Sequence, residues 1–368
     1  MFATRRSAGR LTPTRKLVKK GSSLRDLRPL TERIVLEKVL GVTLKGNSGL
    51  ACSPVTGEIA FPAGCVIVLV NSNGHGQSHI VNSSKKTVSS LAFSPDGKFL
   101  VSGESGHQPA VRVWDAEDSS HPQVSELSKG HKHGIQSVAF SPNMKYVVSV
   151  GFHHDMLVNI WNWREETTIA CNKVSSKVNA ISFSEKGDYF VTVGVRIVKF
   201  WYIGSTDDAN KVKKKIPLQG RPAILGEKRD NQFIDVACGV GINSALTYSV
   251  TKSGLLCSFN QKRLLEKWVE LRVNGAFSLT VNEQLIFCGC SDGIIRVFNS
   301  SSLQFIGSLP KPHCLGVDVA AGHDASHLLT KVDNASYPDT VAITLDHQGT
   351  KLTCVYNDHS IYIWDIKD

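Results

Sequence analysis

The sequence lacks any apolar run long enough to cross a membrane. None of its windows reaches the roughly 18 uninterrupted apolar residues that a membrane-spanning helix needs. No apolar segment follows the arginines of the opening MFATRRSAGR, so we expect no secretory signal peptide. We therefore expect a protein without a membrane span that works in the cytoplasm.

Paired-cysteine motifs are missing as well. The nine cysteines form no Cys-x-x-Cys pair, and only Cys288 and Cys290 stand close together. Both lie in an apolar run with a period of two, which would point them to one side of a strand. A metal site would need further ligands that the neighbouring sequence does not supply. We interpret the cysteines as buried thiols of a reducing compartment and predict neither a metal nor another cofactor.

The motifs of common enzyme classes are also absent. A hydrolase triad of Ser149, His131 and Asp155 is disfavoured because no Gly-x-Ser-x-Gly elbow surrounds the serine. Gly239-Val240-Gly241 lacks the third glycine and the following helix of a dinucleotide site. His153-His154-Asp155 is compatible with a metal, although a solvated turn explains it better. These observations predict a protein that is not an enzyme and has no small-molecule substrate.

Negative charge is nearly absent from the first 30 residues. They hold nine basic groups against the single acid Asp26, so they carry +8 of the formal net charge of +10. The basic residues are Arg5, Arg6, Arg10, Arg15, Lys16, Lys19, Lys20, Arg25 and Arg28. We predict that residues 1–30 form a disordered basic tail. Residues 31–368 are then a nearly neutral folded domain, without a basic face for nucleic acid.

What the sequence does contain is a repeated unit. An apolar run, a tight turn, a second run, another turn and an alternating run follow one another in each copy. Clear copies are LAFSPDGKFLVSGESGHQPAVRVWD (91–115), VAFSPNMKYVVSVGFHHDMLVNIWNW (138–163) and ISFSEKGDYFVTVGVRIVKFWY (181–202). Weaker copies cover 50–71, 233–260, 276–299 and 340–365. The copies close at Val70, Trp114, Trp161, Trp201, Phe259, Phe298 and Trp364, and each copy predicts three strands.

The units resemble the WD40 repeat, in which four short strands form one blade of a β-propeller. The resemblance rests on the spacing and on the dipeptides Gly130-His131, Trp114-Asp115 and Trp364-Asp365. Seven closing positions predict an all-β, seven-bladed WD40 propeller. We expect its ring to be closed by a strand at Ile34–Leu40, which would pair with the last unit.

The fourth strand of each unit should lie in the connecting segments. Ile169–Asn172 and Leu271–Val273 are two candidates. The run KRLLEKWVELR (262–272) fits a short helix on its apolar spacing, but the repeat context favours a strand.

The WD40 resemblance also implies a hydrogen-bonded network of His, Ser or Thr, Asp and Trp inside a blade. The third unit has all four residue types, and Asp155, Asp292 and Asp358 each precede their closing aromatic residue by six positions. Elsewhere Gln108 stands at the Asp position, and Cys288 and Cys354 stand at the hydroxyl position. The predicted structural residues are His131, Ser149, Asp155, Trp161, Asp292, Asp358, Trp114, Trp201 and Trp364.

Three Ser-Pro pairs, at Ser53, Ser94 and Ser141, occupy the same turn of their units. The turn itself requires these residues, so they do not indicate phosphorylation. Thr12-Pro13 lies in the basic tail, and Thr12 is therefore our phosphorylation candidate.

Longer stretches from Val35 to the end resemble the mitogen-activated-protein-kinase-binding WD-repeat scaffolds, a family that includes a spindle-pole member. They include AFSPDGKFLVSGESGHQPAVRVWD, LLCSFNQKRLLEKW, IFCGCSDGIIRVF, LPKPHCLGVDVA and VYNDHSIYIWDIKD. The resemblance implies a non-enzymatic scaffold that binds JNK-pathway kinases and centrosomal or spindle-pole proteins. It also implies localisation in the cytoplasm, at the spindle pole or centrosome, and in the nucleus. Members of this family are longer, so the chain resembles a fragment or short isoform that lacks their kinase-docking motifs.

Two long connections, 203–232 and 308–339, are candidate protein-binding segments or simply tolerated surface loops. The first carries Lys211, Lys213, Lys214 and Lys215. The basic tail supports an alternative function, which is binding to an acidic surface such as microtubules or RNA, with the propeller as a structural platform. Lys19-Lys20 before Leu24, Leu27 and Leu30 faintly resembles a kinase-docking peptide, and a mitochondrial presequence is a further alternative for the tail.

Overall fold

The computed structural model describes residues 36–71, 76–204, 217–316 and 335–366. The chain divides into two compact units, Met1–Lys38 and Val39–Asp368, and the strands lie in the second. The predicted boundary between tail and propeller lies outside the described residues and stays a prediction. In the described part of the chain, no helix combines the length and the apolar character that a bilayer crossing requires.

Seven antiparallel sheets, here called blades 1 to 7, succeed one another along the chain, and within each sheet the strands are neighbours in chain order. Blades 1 and 2 consist of β1 (Ala51–Cys52), β2 (Ile59–Ala63), β3 (Val66–Val70), β4 (Gln77–Val81), β5 (Val88–Phe93), β6 (Phe99–Glu104), β7 (Val111–Asp115) and β8 (Gln123–Leu127). Blades 3 and 4 consist of β9 (Ile135–Phe140), β10 (Tyr146–Gly151), β11 (Leu157–Asn162), β12 (Thr167–Lys173), β13 (Val178–Phe183), β14 (Phe190–Gly194), β15 (Ile197–Ile203) and β16 (Leu218–Pro222). Blades 5 to 7 consist of β17 (Phe233–Cys238), β18 (Thr247–Thr251), β19 (Leu255–Phe259), β20 (Leu265–Glu270), β21 (Ala276–Val281), β22 (Leu285–Cys290), β23 (Ile295–Asn299), β24 (Phe305–Ser308), β25 (Thr340–Leu345), β26 (Lys351–Tyr356) and β27 (Ile361–Asp365).

The first strands of the blades line the centre of a closed ring. From β5 through β9, β13, β17 and β21 to β25, each first strand contacts the next, and β1 contacts both β5 and β25. The seven predicted closing positions all lie on the third strand of their blades. The all-β, seven-bladed prediction is confirmed.

Each interface between neighbouring blades has its own cluster of buried apolar side chains in the described residues. Between blades 3 and 4, for example, Ile160 packs in one cluster with Phe190 and Trp201. A strand between two interfaces is therefore apolar on both faces, as β10 is, where all residues after Tyr146 are buried. Burial of apolar surface on both sides of every sheet is the main stabilising contribution in such a stack.

The fourth strands agree with the sequence in one blade and differ in another. Ile169–Asn172 lies inside β12, as predicted. In blade 5 the expectation of a strand at Leu271–Val273 is wrong, because the fourth strand is β20 and ends at Glu270. β20 pairs with β19 from Phe259↔Leu265 to Leu255↔Glu270, so the run 262–272 contributes a strand and not a helix.

Ring closure differs from the prediction in the residues that are described. Positions 36–40 of the expected strand have no strand conformation, and the sheet of blade 7 has three described strands. Residues 34 and 35 lie outside the described residues. Leu40 is 90% exposed, which a strand buried at the ring junction would not allow.

The segment after Leu40 passes between the first and last blades instead. Val42 and Leu44 are buried in a cluster with Phe61 of blade 1 and with Ala342 and Val355 of blade 7. The alternation of buried and exposed residues in this segment thus reflects packing between two blade faces, and not membership of a sheet.

Candidate functional site

The predicted network of blade 3 brings three of its four side chains together. The indole Nε1 of Trp161 donates to Ser149 Oγ at 2.8 Å, and His131 Nε2 lies 2.8 Å from the same oxygen. The donor group Asn159 Nδ2 also faces His131 Nε2 at 3.3 Å. We therefore assign Nε2 as an acceptor, so that the Ser149 hydroxyl donates to it.

Asp155, the fourth member, has different partners. Its Oδ2 accepts hydrogen bonds from the backbone N–H groups of Lys132 at 3.1 Å and His133 at 3.0 Å. No hydrogen-bond partner is found for His131 Nδ1 among the described residues. Asp155 therefore holds the turn that follows His131 without bonding to the ring itself.

Burial controls the protonation of His131. Desolvation lowers its pKa to about 4, and the nearby negative charge of Asp155 offsets only part of this effect. The imidazole is therefore neutral near neutral pH, which agrees with Nε2 acting as an acceptor. Ser149 is itself fully buried, so its hydroxyl is not presented to a substrate. The group stabilises a blade and does not have the geometry of a hydrolase triad.

The pair of an indole and a hydroxyl recurs in the neighbouring blades. Trp114 donates to Ser102 Oγ in blade 2, and Trp201 donates to Thr192 Oγ1 in blade 4, both at 2.8 Å. In blade 7 the equivalent position is Cys354, and Trp364 stacks on Tyr362 with ring centroids 5.8 Å apart.

Asp292 and Asp358 anchor the connection between blades 6 and 7. Asp292 Oδ1 accepts from the backbone N–H of Tyr337, and its Oδ2 accepts from Lys311 Nζ at 2.5 Å. Asp358 Oδ2 lies 2.7 Å from Nε2 of His313. Burial opposes ionisation of Asp358, but hydrogen bonds from Ser360 and the nearby His313 hold its pKa below the ordinary value.

A buried ion pair in blade 2 was not predicted from the sequence. The carboxylate of Glu104 is fully buried and accepts from Arg112 Nε at 2.9 Å and from the backbone N–H of Ala110 at 3.0 Å. Asn82 Nδ2 and Ser84 Oγ donate to it at 2.9 and 2.6 Å. Burial opposes its ionisation, yet these donors hold the pKa of Glu104 below its ordinary value. Gln108 at the expected Asp position was the available signal, because a blade without that Asp needs another way to hold its turn.

The centre of the ring contains a second unpredicted group. A short 3₁₀ turn at Asn47–Gly49 contacts the first strands of several blades. Asn47 Nδ2 donates to Asp235 Oδ2 at 2.7 Å and to the carbonyl of Leu279 at 3.2 Å, and its Oδ1 accepts from the N–H of Ile343 at 3.0 Å. One side chain thereby connects blades 5, 6 and 7.

Asp235 is buried at this point. Its Oδ1 accepts from the N–H of Val236 at 2.9 Å, and its Oδ2 accepts from the N–H of Leu279 at 2.8 Å as well as from Asn47. Desolvation raises the pKa of Asp235 to about 7, against the opposing effect of these three donors.

A cavity of about 370 Å³ opens above Asn47, at the end of the ring where the first strands begin. We call it the channel mouth. Three exposed lysines line it, namely Lys45, Lys177 and Lys252. The remaining lining includes Gln136, Asn179, Gln232, Phe277, Asp339 and Asn357. In the described part of the chain, the ring brings these side chains, most of which are polar, to one cavity. We take the channel mouth as the candidate interaction site.

Several sequence candidates lie outside the described residues. They are the connection lysines Lys211, Lys213, Lys214 and Lys215, the tail residues Arg5, Arg6, Arg10, Arg15, Lys16, Lys19 and Lys20, and the phosphorylation candidate Thr12. Within the described residues, no group of three or more His, Cys, Asp or Glu side chains could hold a metal ion. Cys288 and Cys290 are fully buried thiols.

The repeated blades and their indole–hydroxyl pairs define a WD-repeat β-propeller. The family model described as WD domain, G-beta repeat matches residues 73–115 and 122–162. The chain is 57% identical over 339 residues to mitogen-activated protein kinase-binding protein 1 of Mus musculus, and 56% identical over 345 residues to that of Homo sapiens. It is 56% identical over 336 residues to WD repeat-containing protein 62 of Sus scrofa.

These alignments cover 91–92% of the chain, which is a WD-repeat propeller similar to the matched part of the two relatives. The chain spans 22% of the length of each of these relatives.

Proposed function

We propose that the chain is a non-enzymatic interaction platform in mitogen-activated protein kinase signalling, and that its partners include JNK-pathway kinases. The observation that carries the proposal is the 57% identity, over 92% of the chain, to a relative whose name states that it binds mitogen-activated protein kinase. Partner binding at the spindle pole or centrosome, with the chain in the cytoplasm and nucleus, is part of the same proposal and rests on the family resemblance.

The geometry supports a binding role over catalysis. The His, Ser, Asp and Glu side chains that a hydrolase would use are occupied by the blades' own hydrogen bonds, as Ser149 and Glu104 are. The channel mouth offers exposed lysines and amides on the connections of a rigid ring, and binding residues are commonly carried on connections that a rigid scaffold positions.

The test is direct binding of purified JNK-family kinases to the immobilised full chain by biolayer interferometry. A second seven-bladed WD-repeat propeller of similar net charge serves as the control surface. Kinase capture above the control supports the proposal. Equal signals on the two surfaces, together with proximity labelling in dividing cells that enriches neither kinases nor spindle-pole proteins, would contradict it.

A second candidate function is binding of the basic tail to microtubules or RNA. It is favoured by the +8 charge of residues 1–30. Salt-titrated cosedimentation with microtubules and with RNA tests it, comparing the chain with a variant in which Lys16, Lys19 and Lys20 are replaced by glutamine. If the variant keeps the full affinity and the full salt dependence, this candidate function is wrong.

A further inference from the structure

The lysines of the channel mouth share one cavity and, like most of the described lysines, have no carboxylate within salt-bridge distance. Lys86, Lys98 and Lys311 each lie within 4 Å of a carboxylate, at 3.7, 3.5 and 2.5 Å. In contrast, none of the described carboxylates lies within salt-bridge distance of Lys45, Lys177 or Lys252. Three positive charges therefore line one cavity, and none of them forms a salt bridge with a described carboxylate.

The two acids that line the same cavity form no salt bridge with these lysines. Asp235 is buried and its carboxylate is directed to Val236, Leu279 and Asn47. Asp339 Oδ1 accepts from the backbone N–H of Asp292 at 2.9 Å. The three lysines outnumber these two acids, so the mouth keeps an excess of positive charge even when both acids are ionised.

The three lysines come from separate parts of the ring. Lys45 precedes the central 3₁₀ turn, Lys177 precedes β13, and Lys252 lies in the turn between β18 and β19. A peptide with several carboxylates, spaced by about 3.3 Å per residue when extended, offers a separate carboxylate to each of these lysines.

We infer that the channel mouth binds an acidic peptide segment of a partner protein, with its Asp and Glu carboxylates paired to Lys45, Lys177 and Lys252. This deepens the proposed function, because it names the chemistry of a partner for the platform. The side-chain amide of Gln232 lines the same cavity and is suited to the peptide backbone, whereas the amide of Asn179 donates to the carbonyl of Phe233 at 2.6 Å.

Binding at the channel mouth should also stabilise the closing segment, by which we mean the residues from Gly41 to Gly49 that pass between blades 1 and 7 and enter the centre of the ring. Lys45 is two residues before Asn47, which joins blades 5, 6 and 7. A peptide held by Lys45 favours the state in which this segment is in place, so it should raise the melting temperature of the chain.

The experiment measures binding of a fluorescein-labelled oligoglutamate peptide to the full chain by fluorescence anisotropy, with the matching oligoglutamine peptide as the uncharged control. We expect binding of oligoglutamate alone, and about fivefold weaker binding by the Lys177→Gln/Lys252→Gln chain, since exposed charge pairs contribute modestly. The control variant is Lys186→Gln, at the opposite end of β13, which should bind as the unaltered chain does. Circular dichroism verifies that both variants fold.

Three outcomes would overturn the inference. The first is no binding of oligoglutamate, and the second is equal binding by the channel-mouth variant and the control variant. The third is direct binding of labelled single-stranded RNA that is lost in the Lys177→Gln/Lys252→Gln chain while oligoglutamate does not bind, which would make the partner a nucleic acid. The second outcome includes the case in which oligoglutamate binding is lost only when Lys16, Lys19 and Lys20 are replaced by glutamine. That result would place the acidic peptide on the tail. Kinase capture that persists in any of these cases leaves the proposed function standing.

Discussion

Asn47 donates a hydrogen bond of 2.7 Å to the buried carboxyl of Asp235, across 188 residues of sequence. The same amide reaches Leu279 and Ile343, so blades 5, 6 and 7 share one polar residue at the centre of the ring. Buried polar groups are costly unless all their partners are present. The closing segment is therefore specified by a hydrogen-bond pattern as well as by the apolar contacts of Val42 and Leu44.

Replacing Asn47 with alanine should lower the free energy of unfolding by about 3 kcal/mol, because three buried partners lose their bonds. Urea denaturation measures the change. Asn274→Ala, at an exposed bend before β21, is the control and should leave stability within about 0.5 kcal/mol. Equal effects of the two substitutions would show that the central amide has no special role.

Asp235 should make the chain less stable as the pH rises. Its pKa of about 7 in the folded state lies above the ordinary value of 3.8, so between these values the folded state holds a proton that the unfolded state has released. Relative to Asp235→Asn, which does not titrate, the free energy of unfolding should fall by at most about 4 kcal/mol between about pH 4 and pH 7. Urea denaturation of both proteins across this range measures it, and a constant difference would contradict the prediction.

His131 should make the chain less stable as the pH falls, which is the opposite of the effect of Asp235. Its pKa of about 4 lies below the ordinary value of 6.5, so the unfolded state binds the proton first as the pH falls. The stability that depends on neutral His131 is present above about pH 6.5 and is lost as the pH falls towards 4. NMR titration of the imidazole protons checks this. A midpoint for His131 near the ordinary value of 6.5 would refute the assignment.

The blade count was predictable because the closing residue of each copy lies on the third strand, which is largely buried in blades 1 to 6. Outer strands carry a weaker pattern. β12 has one buried residue among seven, so its position followed from context more than from its own sequence. The same weakness explains the wrong placement at Leu271–Val273, where Leu271 is buried just after the strand has ended.

The central contacts could not be predicted because they depend on distant partners. Asn47 has no local feature that points to Asp235 or to Ile343, which is 296 residues away. The segment Ile34–Leu40 shows the reverse problem, since its apolar residues match a strand pattern although the described ones form none. Only the assembled ring shows that Val42 and Leu44, which follow this segment, fill the space between two blades.

The shared hydroxyl of Ser149 should contribute measurably to stability without being catalytic. Ser149→Ala leaves Trp161 Nε1 and His131 Nε2 without their common partner, so the free energy of unfolding should fall by about 2 kcal/mol. Thermal and urea denaturation measure this, with the exposed Ser175→Ala as the control. An unchanged stability for Ser149→Ala would show that the hydroxyl is dispensable to the blade.

Glu104 should be among the residues of blade 2 that are most sensitive to substitution. Glu104→Ala leaves the Arg112 guanidinium, whose side chain is only 7% exposed, with the more exposed Glu126 as its remaining described carboxylate partner. Removing one member of a buried pair typically costs about 3–5 kcal/mol, whereas an exposed pair contributes little. Glu117→Ala breaks the exposed pair with Lys98 and should change stability by less than about 0.5 kcal/mol. Urea denaturation of the two variants makes the comparison. Similar losses for both would mean that the Glu104–Arg112 pair behaves as a surface pair, and that the blade without the expected Asp is held by its apolar contacts alone.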